Sequence, residues 1–202
     1  MFDEAGGFGR RHPALQREFR GAAGPADHAA HWRVFPSGHH PKATKLADMS
    51  VTPIPEGYTS LTPFLCIDGA AAAIDFYEKV FGATLVSRMD GPDGTVAHAE
   101  LDFGTGRLQL GDPQDAYQLA APDKDAFATG SIAFYCADAD AVVARAEAAG
   151  ATIREPIQTF VTGDRFASII DPFGRRWTVM TRVEDITPEE QERRLAEWAS
   201  SQ

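Results

Sequence analysis

The chain has 202 residues, of which 44% are apolar and 24% charged, with a formal net charge of −10. That is one domain of ordinary size or two small ones, with enough apolar material for a real core. Residues 1–50 carry seven Lys/Arg and five Asp/Glu, leaving twelve and twenty-four for the rest; an acidic body of this kind argues against nucleic acid or an anionic membrane as the main partner. No apolar run approaches bilayer-crossing length, and MFDEAGGFGRRHPAL lacks the apolar segment of a secretory signal, so the expected address is the cytoplasm.

Residues 1–50 hold six Gly, four Pro and five of the six histidines (His12, His28, His31, His39, His40) without sustained periodicity. Such a segment buries too little apolar surface to offset its ordering entropy, and a disordered extension is expected. The irregular histidine spacing favours that over a metal-binding tract. MSVTPIPEGY, from Met49, is the expected start of the folded part, with the extension dispensable or a misassigned start.

From Ser60 the pattern sharpens. SLTPFLCI predicts a strand, and AAAAIDFYEKVFG places Ile74, Tyr77 and Phe81 on one helical face, with Gly82 as a left-handed stop. ATLVSRM predicts a second strand and DGPDG a turn. In TVAHAELDF, Ala97, Ala99, Leu101 and Phe103 alternate with His98, Glu100 and Asp102; GRLQLGD sets Leu108 and Leu110 against Arg107 and Gln109. The order β-α-β-β-β then recurs: SIAFYCAD, the helix DAVVARAEAAG, GATIREP, RFASIID and RRWTVMT. Residues 57–183 thus divide into module one (60–113), a linker (114–129) and module two (130–182), each module too small to bury its sheet alone. TPEE predicts a capped helix over 187–200 with Leu195 and Trp198 on an apolar stripe.

The cysteines, Cys66 in FLCID and Cys136 in FYCAD, read as small buried apolar residues. The two pentapeptides are 70 residues apart, whereas the GAT pair is 68 apart, and a one-residue slip in a strand reverses its faces. Sequence therefore leaves open whether the cysteines face the same side.

TPFLCIDGAAAAIDFYEKVFGA, GPDGTVAHAEL, GDRFASIIDPFGRRW and VEDITPEE, in this order from Gly57 to Arg194, resemble the vicinal oxygen chelate superfamily, which includes glyoxalases, bleomycin-resistance proteins and extradiol dioxygenases, and within it the PhnB-like branch. The resemblance implies an α+β fold of two tandem β-α-β-β-β modules forming a curved mixed sheet around a cavity, with helices on the convex faces, a terminal helix, and assembly as a homodimer. It also implies a divalent ion held near the start of the first strand and on the last strand of each module. Matched strand by strand, those positions are Thr62, Gln109, Ser131 and Thr178. Only Gln109 is a credible ligand, because neutral hydroxyls are weak donors to a divalent ion. The expectation is no metal and no cofactor.

His98 is the one histidine outside the extension, and it shares a strand face with Glu100. The spacing of alternate strand residues favours a binding role for His98 over an acid–base dyad. Arg165 reads either as an anchor for an anionic ligand or as a turn arginine paired with Asp164. Tyr135 reads either as a stacking platform in the cavity or as core. Trp177 reads as core. The ligand-binding candidates are His98, Gln109, Thr62, Ser131, Thr178, Tyr135 and Arg165. Three functions compete: a metal-independent small-molecule binder like the bleomycin-resistance proteins, which these residues favour; a metal-dependent glyoxalase-type lyase, isomerase or dioxygenase using His98, Glu100 and Gln109; and a scaffold protein.

Overall fold

The computed structural model describes residues 51–91 and 93–202; the expected extension over residues 1–50 lies outside the described residues. Module one runs β1 (Phe64–Cys66), α1 (Ala70–Phe81), β2 (Thr84–Asp90), β3 (Val96–Asp102) and β4 (Arg107–Gly111). Module two runs β5 (Ser131–Tyr135), α2 (Ala139–Ala148), β6 (Thr152–Thr159), β7 (Asp164–Ile170) and β8 (Arg176–Arg182), and α3 (Pro188–Ser200) follows. Each module makes its own four-stranded mixed sheet, ordered β1-β4-β3-β2 and β5-β8-β7-β6. The first strand of each lies parallel to the last, and the other neighbours are antiparallel. No helix among the described residues is long and apolar enough to cross a membrane.

The predicted face of α1 is the buried one: Ile74, Tyr77 and Phe81, joined by Ala70, Ala73 and Val80. Gly82, at φ 71°, ends the helix and returns its amide to the carbonyls of Tyr77 and Glu78. The other end is held by Asp112. Its Oδ1 accepts from the amides of Gly69 (2.9 Å) and Ala70 (3.0 Å), and its Oδ2 from Val96 (2.7 Å), placing a carboxylate where the helix dipole favours one. In module two Asp138 caps α2 through the Ala141 amide at 2.9 Å. The terminal helix is capped by Thr187, as TPEE predicts, and Trp198 meets Phe160 edge-on at 5.3 Å.

The helix-bearing faces of the two sheets meet in one core. Phe81 of α1 lies 4.6 Å from Trp177 and 5.1 Å from Phe134, both in module two, and Arg145 of α2 donates to the Val80 carbonyl of α1. Burying this face leaves the opposite face of each sheet open. Phe64 and Met89 are exposed on one, and Ser131, Ala133 and Tyr135 on the other.

The register resolves the pentapeptide repeat. Phe64 pairs with Gln109, whereas Ala133, not Phe134, pairs with Thr178. Equating the final strands at Gln109 and Thr178 makes Phe64 equivalent to Ala133, one residue out of step with the FLCID/FYCAD match. Phe64 accordingly faces His98, with ring centroids 5.8 Å apart, while Phe134 packs into the core. A single-residue slip has turned the two phenylalanines to opposite faces. Both cysteines are free thiols; Cys66 is buried and Cys136 half-buried.

The alternation read in TVAHAELDF holds from His98 onward and breaks before it. Val96 and Ala99 are buried, but Ala97 is only half-buried. The cause is a register shift between the pairs Met89–His98 and Asp90–Val96, a bulge that places Ala97 beside His98 in a cavity wall rather than with Ala99 and Leu101.

Candidate functional site

The open face of module one carries His98 and Gln109, with Glu100 and Arg107 beside them. Glu100 and Gln109 are opposed across β3 and β4, and Gln109 Nε2 donates to Glu100 Oε1 at 3.2 Å. Arg107 Nη1 donates to Glu100 Oε2 at 3.3 Å, and its guanidinium lies 4.6 Å from the centroid of the Tyr58 ring. Gly57 permits this approach: a Cβ there would fall 2.8 Å from Arg107 Nη2, and the φ of +81° disfavours a side chain anyway. His98 Nε2 stands 3.7 Å from Glu100 Oε1, beyond hydrogen-bonding distance.

Glu100 is the electrostatic centre of this group. The Tyr58 hydroxyl beside it is the largest influence holding its carboxyl below the ordinary glutamate range; burial opposes this, and Gln109 and His98 reinforce it. The carboxylate is thus charged, partly buried and already matched by Arg107.

His98 also borders a cavity of about 320 Å³ lined by Phe64, Met89, Ala97, Gln114, Tyr117 and Leu119. Three of these come from the segment read as a linker. Gln114 Nε2 donates to the Ala97 carbonyl at 2.9 Å, Gln114 bridges Leu119, and a 3₁₀ turn at Asp115–Tyr117 lies between them. The loop folds back over sheet one and forms a wall. Tyr117 and Leu119, apolar residues in a polar stretch, were the available signal for that role.

In module two, Ser131 and Thr178 share a hydrogen bond of 3.1 Å between their hydroxyls. Tyr135 is 57% exposed, so the reading as core is wrong; its hydroxyl lies 3.4 Å from Asp164 Oδ1. Burial, then the Asp164 charge and hydrogen bond, push the phenol up. Arg165 does not make the expected pair with Asp164. Its Nε and Nη2 hold the two carboxylate oxygens of Asp140 on α2, at 2.5 and 2.6 Å, while Asp164 pairs with Arg182 at 3.3 Å. Along a strand, neighbouring side chains take opposite faces, so Arg165 turns to the helix as Asp164 turns to Tyr135. Thr62 is half-buried, two residues before β1.

These residues do not suit the divalent ion that the fold family implies. Thr62 and Gln109 belong to one module and Ser131 and Thr178 to the other. The two hydroxyls of module two hydrogen-bond to each other, and Gln109, with its Nε2 bonded to Glu100, offers an ion only one neutral amide oxygen. His98, Glu100 and Gln109 make a closer set, but the Arg107 guanidinium against Glu100 would repel a dication. Among the described residues, no group of three or more His, Cys, Asp or Glu side chains is placed to share an ion.

The model of the Glyoxalase/Bleomycin resistance protein/Dioxygenase superfamily matches residues 60–179. An uncharacterized protein of Mycobacterium bovis is 35% identical over 136 residues, 65% of this chain and 88% of that protein. Among solved structures, TioX from Micromonospora sp. ML1 matches with a TM-score of 0.50 and 26% identity, over 61% of this chain and 98% of that one. Protein PA1353 from Pseudomonas aeruginosa matches with a TM-score of 0.52 and 21% identity, again over 61% and 98%. Two β-α-β-β-β sheets, the matched span and the relatives agree: the chain belongs to the glyoxalase/bleomycin resistance protein/dioxygenase superfamily.

Proposed function

We propose that this protein binds a small molecule in the cavity beside His98, without a divalent ion, and that it does so as a homodimer. The observation that carries the binding reading is the composition of the wall: Phe64, Met89, Tyr117 and Leu119 give it apolar surface, with His98 and Gln114 as hydrogen-bonding groups. That mixture suits a compact aromatic or aliphatic ring compound bearing one polar group, which His98 orients while Phe64 packs on the ring. Glu100 takes no part in bond-making; with Arg107 and Gln109 it fixes the floor under the imidazole. The dimer reading rests on the two open sheet faces, each carrying exposed apolar or aromatic residues that a second copy would cover. The acidic body supports neither nucleic acid nor an anionic membrane as partner.

The test is a thermal-shift screen of the full chain against small ring compounds, followed by calorimetric titration of each hit. A ligand selective for the folded state must raise the melting temperature. Hits should saturate at one site per chain, survive chelator treatment and disappear in His98→Ala. Flat responses across a broad screen would refute the binding reading.

The 3.7 Å approach of His98 to Glu100 supports a second reading, a metal-dependent lyase or isomerase using His98, Glu100 and Gln109. Metal analysis of untagged protein separates the two. A stoichiometric transition metal lost in His98→Ala, together with turnover of the methylglyoxal–glutathione adduct, would establish the second reading and displace the first.

A further inference from the structure

Ten arginines lie among the described residues. Seven of them (Arg88, Arg107, Arg154, Arg165, Arg182, Arg193 and Arg194) face a carboxylate within 4.0 Å. Arg145 is spent on the Val80 carbonyl. Arg175 and Arg176 are left, adjacent in sequence at the entry to β8, and both line one cavity of about 180 Å³ between the modules. Its other walls include Leu65 of β1, Thr129 and Gly130 at the end of the connecting loop, and Ser131 of β5. It shares no lining residue with the His98 cavity.

In an acidic body, two guanidiniums at one hollow without a carboxylate partner among the described residues are an electrostatic anomaly, and their fixation sharpens it. Arg176 Nε donates to Ser168 Oγ at 2.9 Å, and Arg175 Nη2 donates to the Cys66 carbonyl. Both side chains are therefore held in place. Arg175 Nε is buried with no acceptor among the described residues, so this guanidinium is not fully satisfied within the protein. The nearby buried carboxylate, Asp171, cannot supply an acceptor readily. It already accepts from Tyr77, Trp177 and the amides of Phe173 and Arg175. A third cation stands at the rim: the Lys124 Cγ lies 3.4 Å from where a Cβ on Gly174, itself a lining residue, would sit. Asp123 and Asp125 flank Lys124 in the chain and are exposed, so they limit the attraction without closing the hollow.

We propose that this cavity binds an oxyanion group, a carboxylate or a phosphate borne on a small molecule. Arg175 and Arg176 are its charge-assisted donors, the Thr129 hydroxyl a neutral donor, and Lys124 guides entry. The volume fits a small anion or the charged end of a metabolite. The site stands apart from the His98 cavity and does not depend on its function.

The experiment uses the full chain at low ionic strength, titrated separately with inorganic phosphate and with succinate, with sodium chloride at matched ionic strength as reference. Melting temperature and calorimetry are the readouts. One or both anions should bind saturably and raise the melting temperature above the chloride reference, and the stronger of the two identifies the preferred oxyanion. Arg176→Gln should weaken binding about tenfold or more, the scale of one charge-assisted hydrogen bond. Lys124→Ala, an exposed change that leaves the fold alone, should weaken it less and lower its salt sensitivity. His98→Ala should leave it unchanged, which separates this site from the small-molecule cavity. Responses equal to those in chloride, or anion binding unaltered in both Arg176→Gln and Lys124→Ala, would overturn the assignment.

Discussion

The hydroxyl of Tyr77 donates to Oδ2 of Asp171 at 2.8 Å, across 94 residues of sequence and from the helix of one module to the last hairpin of the other. Trp177 Nε1 donates to the same oxygen at 2.9 Å, and the amides of Phe173 and Arg175 supply Oδ1. A carboxylate only 3% exposed is tolerable because four donors replace its water. Burial first, and then the Asp171 charge, push the Tyr77 phenol well above its ordinary value. Tyr77→Phe removes one donor and keeps the ring, so it should cost about 1–3 kcal/mol in urea unfolding. Because the bond joins the modules, the transition should stay single and shift as a whole; early melting of one module alone would show that the junction is not cooperative.

Glu100 gives a pH dependence with a definite sign. Its carboxyl is held below the ordinary value of 4.5, chiefly by the Tyr58 hydroxyl, so the native state favours the charged form. The stability it supplies is fully present above about pH 4.5 and is lost as pH falls through the lower native value. Glu100→Gln should therefore be less stable than the parent at neutral pH and lose less stability on acidification. Parallel stability curves for the two proteins between pH 6 and pH 3 would remove Glu100 from the acid response.

What was legible in the sequence was whatever depends on local period. The buried stripe of α1, the glycine stop at Gly82, the Thr187 cap and the file of Glu100 and Gln109 follow from spacings of two, three or four residues. What escaped depends on partners distant in the chain. Arg165 found Asp140 rather than Asp164 because a helix, not its own turn, lies over that face. The segment 114–129 became a cavity wall through a bond from Gln114 to Ala97, which no local pattern encodes. FLCID and FYCAD match as text and differ by one step in space, since strand faces depend on absolute register.

The cysteines should differ in reactivity although the pentapeptides that hold them match in sequence. Cys66 is 4% exposed, and burial is the main cause pushing its thiol up, partly opposed by Arg175. The thiolate is the nucleophile, so both access and ionisation are against it. Cys136 is half-buried, its sulfur 3.5 Å from the Met180 carbonyl. In native protein at pH 8, iodoacetamide should label Cys136 first and Cys66 only with denaturant, as read by mass spectrometry. Equal labelling without denaturant would place Cys66 at the surface.

The open faces supply a test of assembly. Ala133 is exposed at the centre of β5, between Ser131 and Tyr135 on the same side, and its methyl touches no part of the shared core. A charge at this position costs little in an isolated chain facing water, but in a dimer closed over this face it must be desolvated without a partner. Ala133→Glu should halve the mass seen by light scattering and make the unfolding midpoint independent of protein concentration, whereas the parent's should rise with concentration. Phe64→Glu, on the other module, should have the same effect if the second copy covers both faces. A parent protein that scatters as a monomer at all concentrations would refute the dimer. A dimer unmoved by both substitutions would place its interface elsewhere, away from the walls of the His98 cavity.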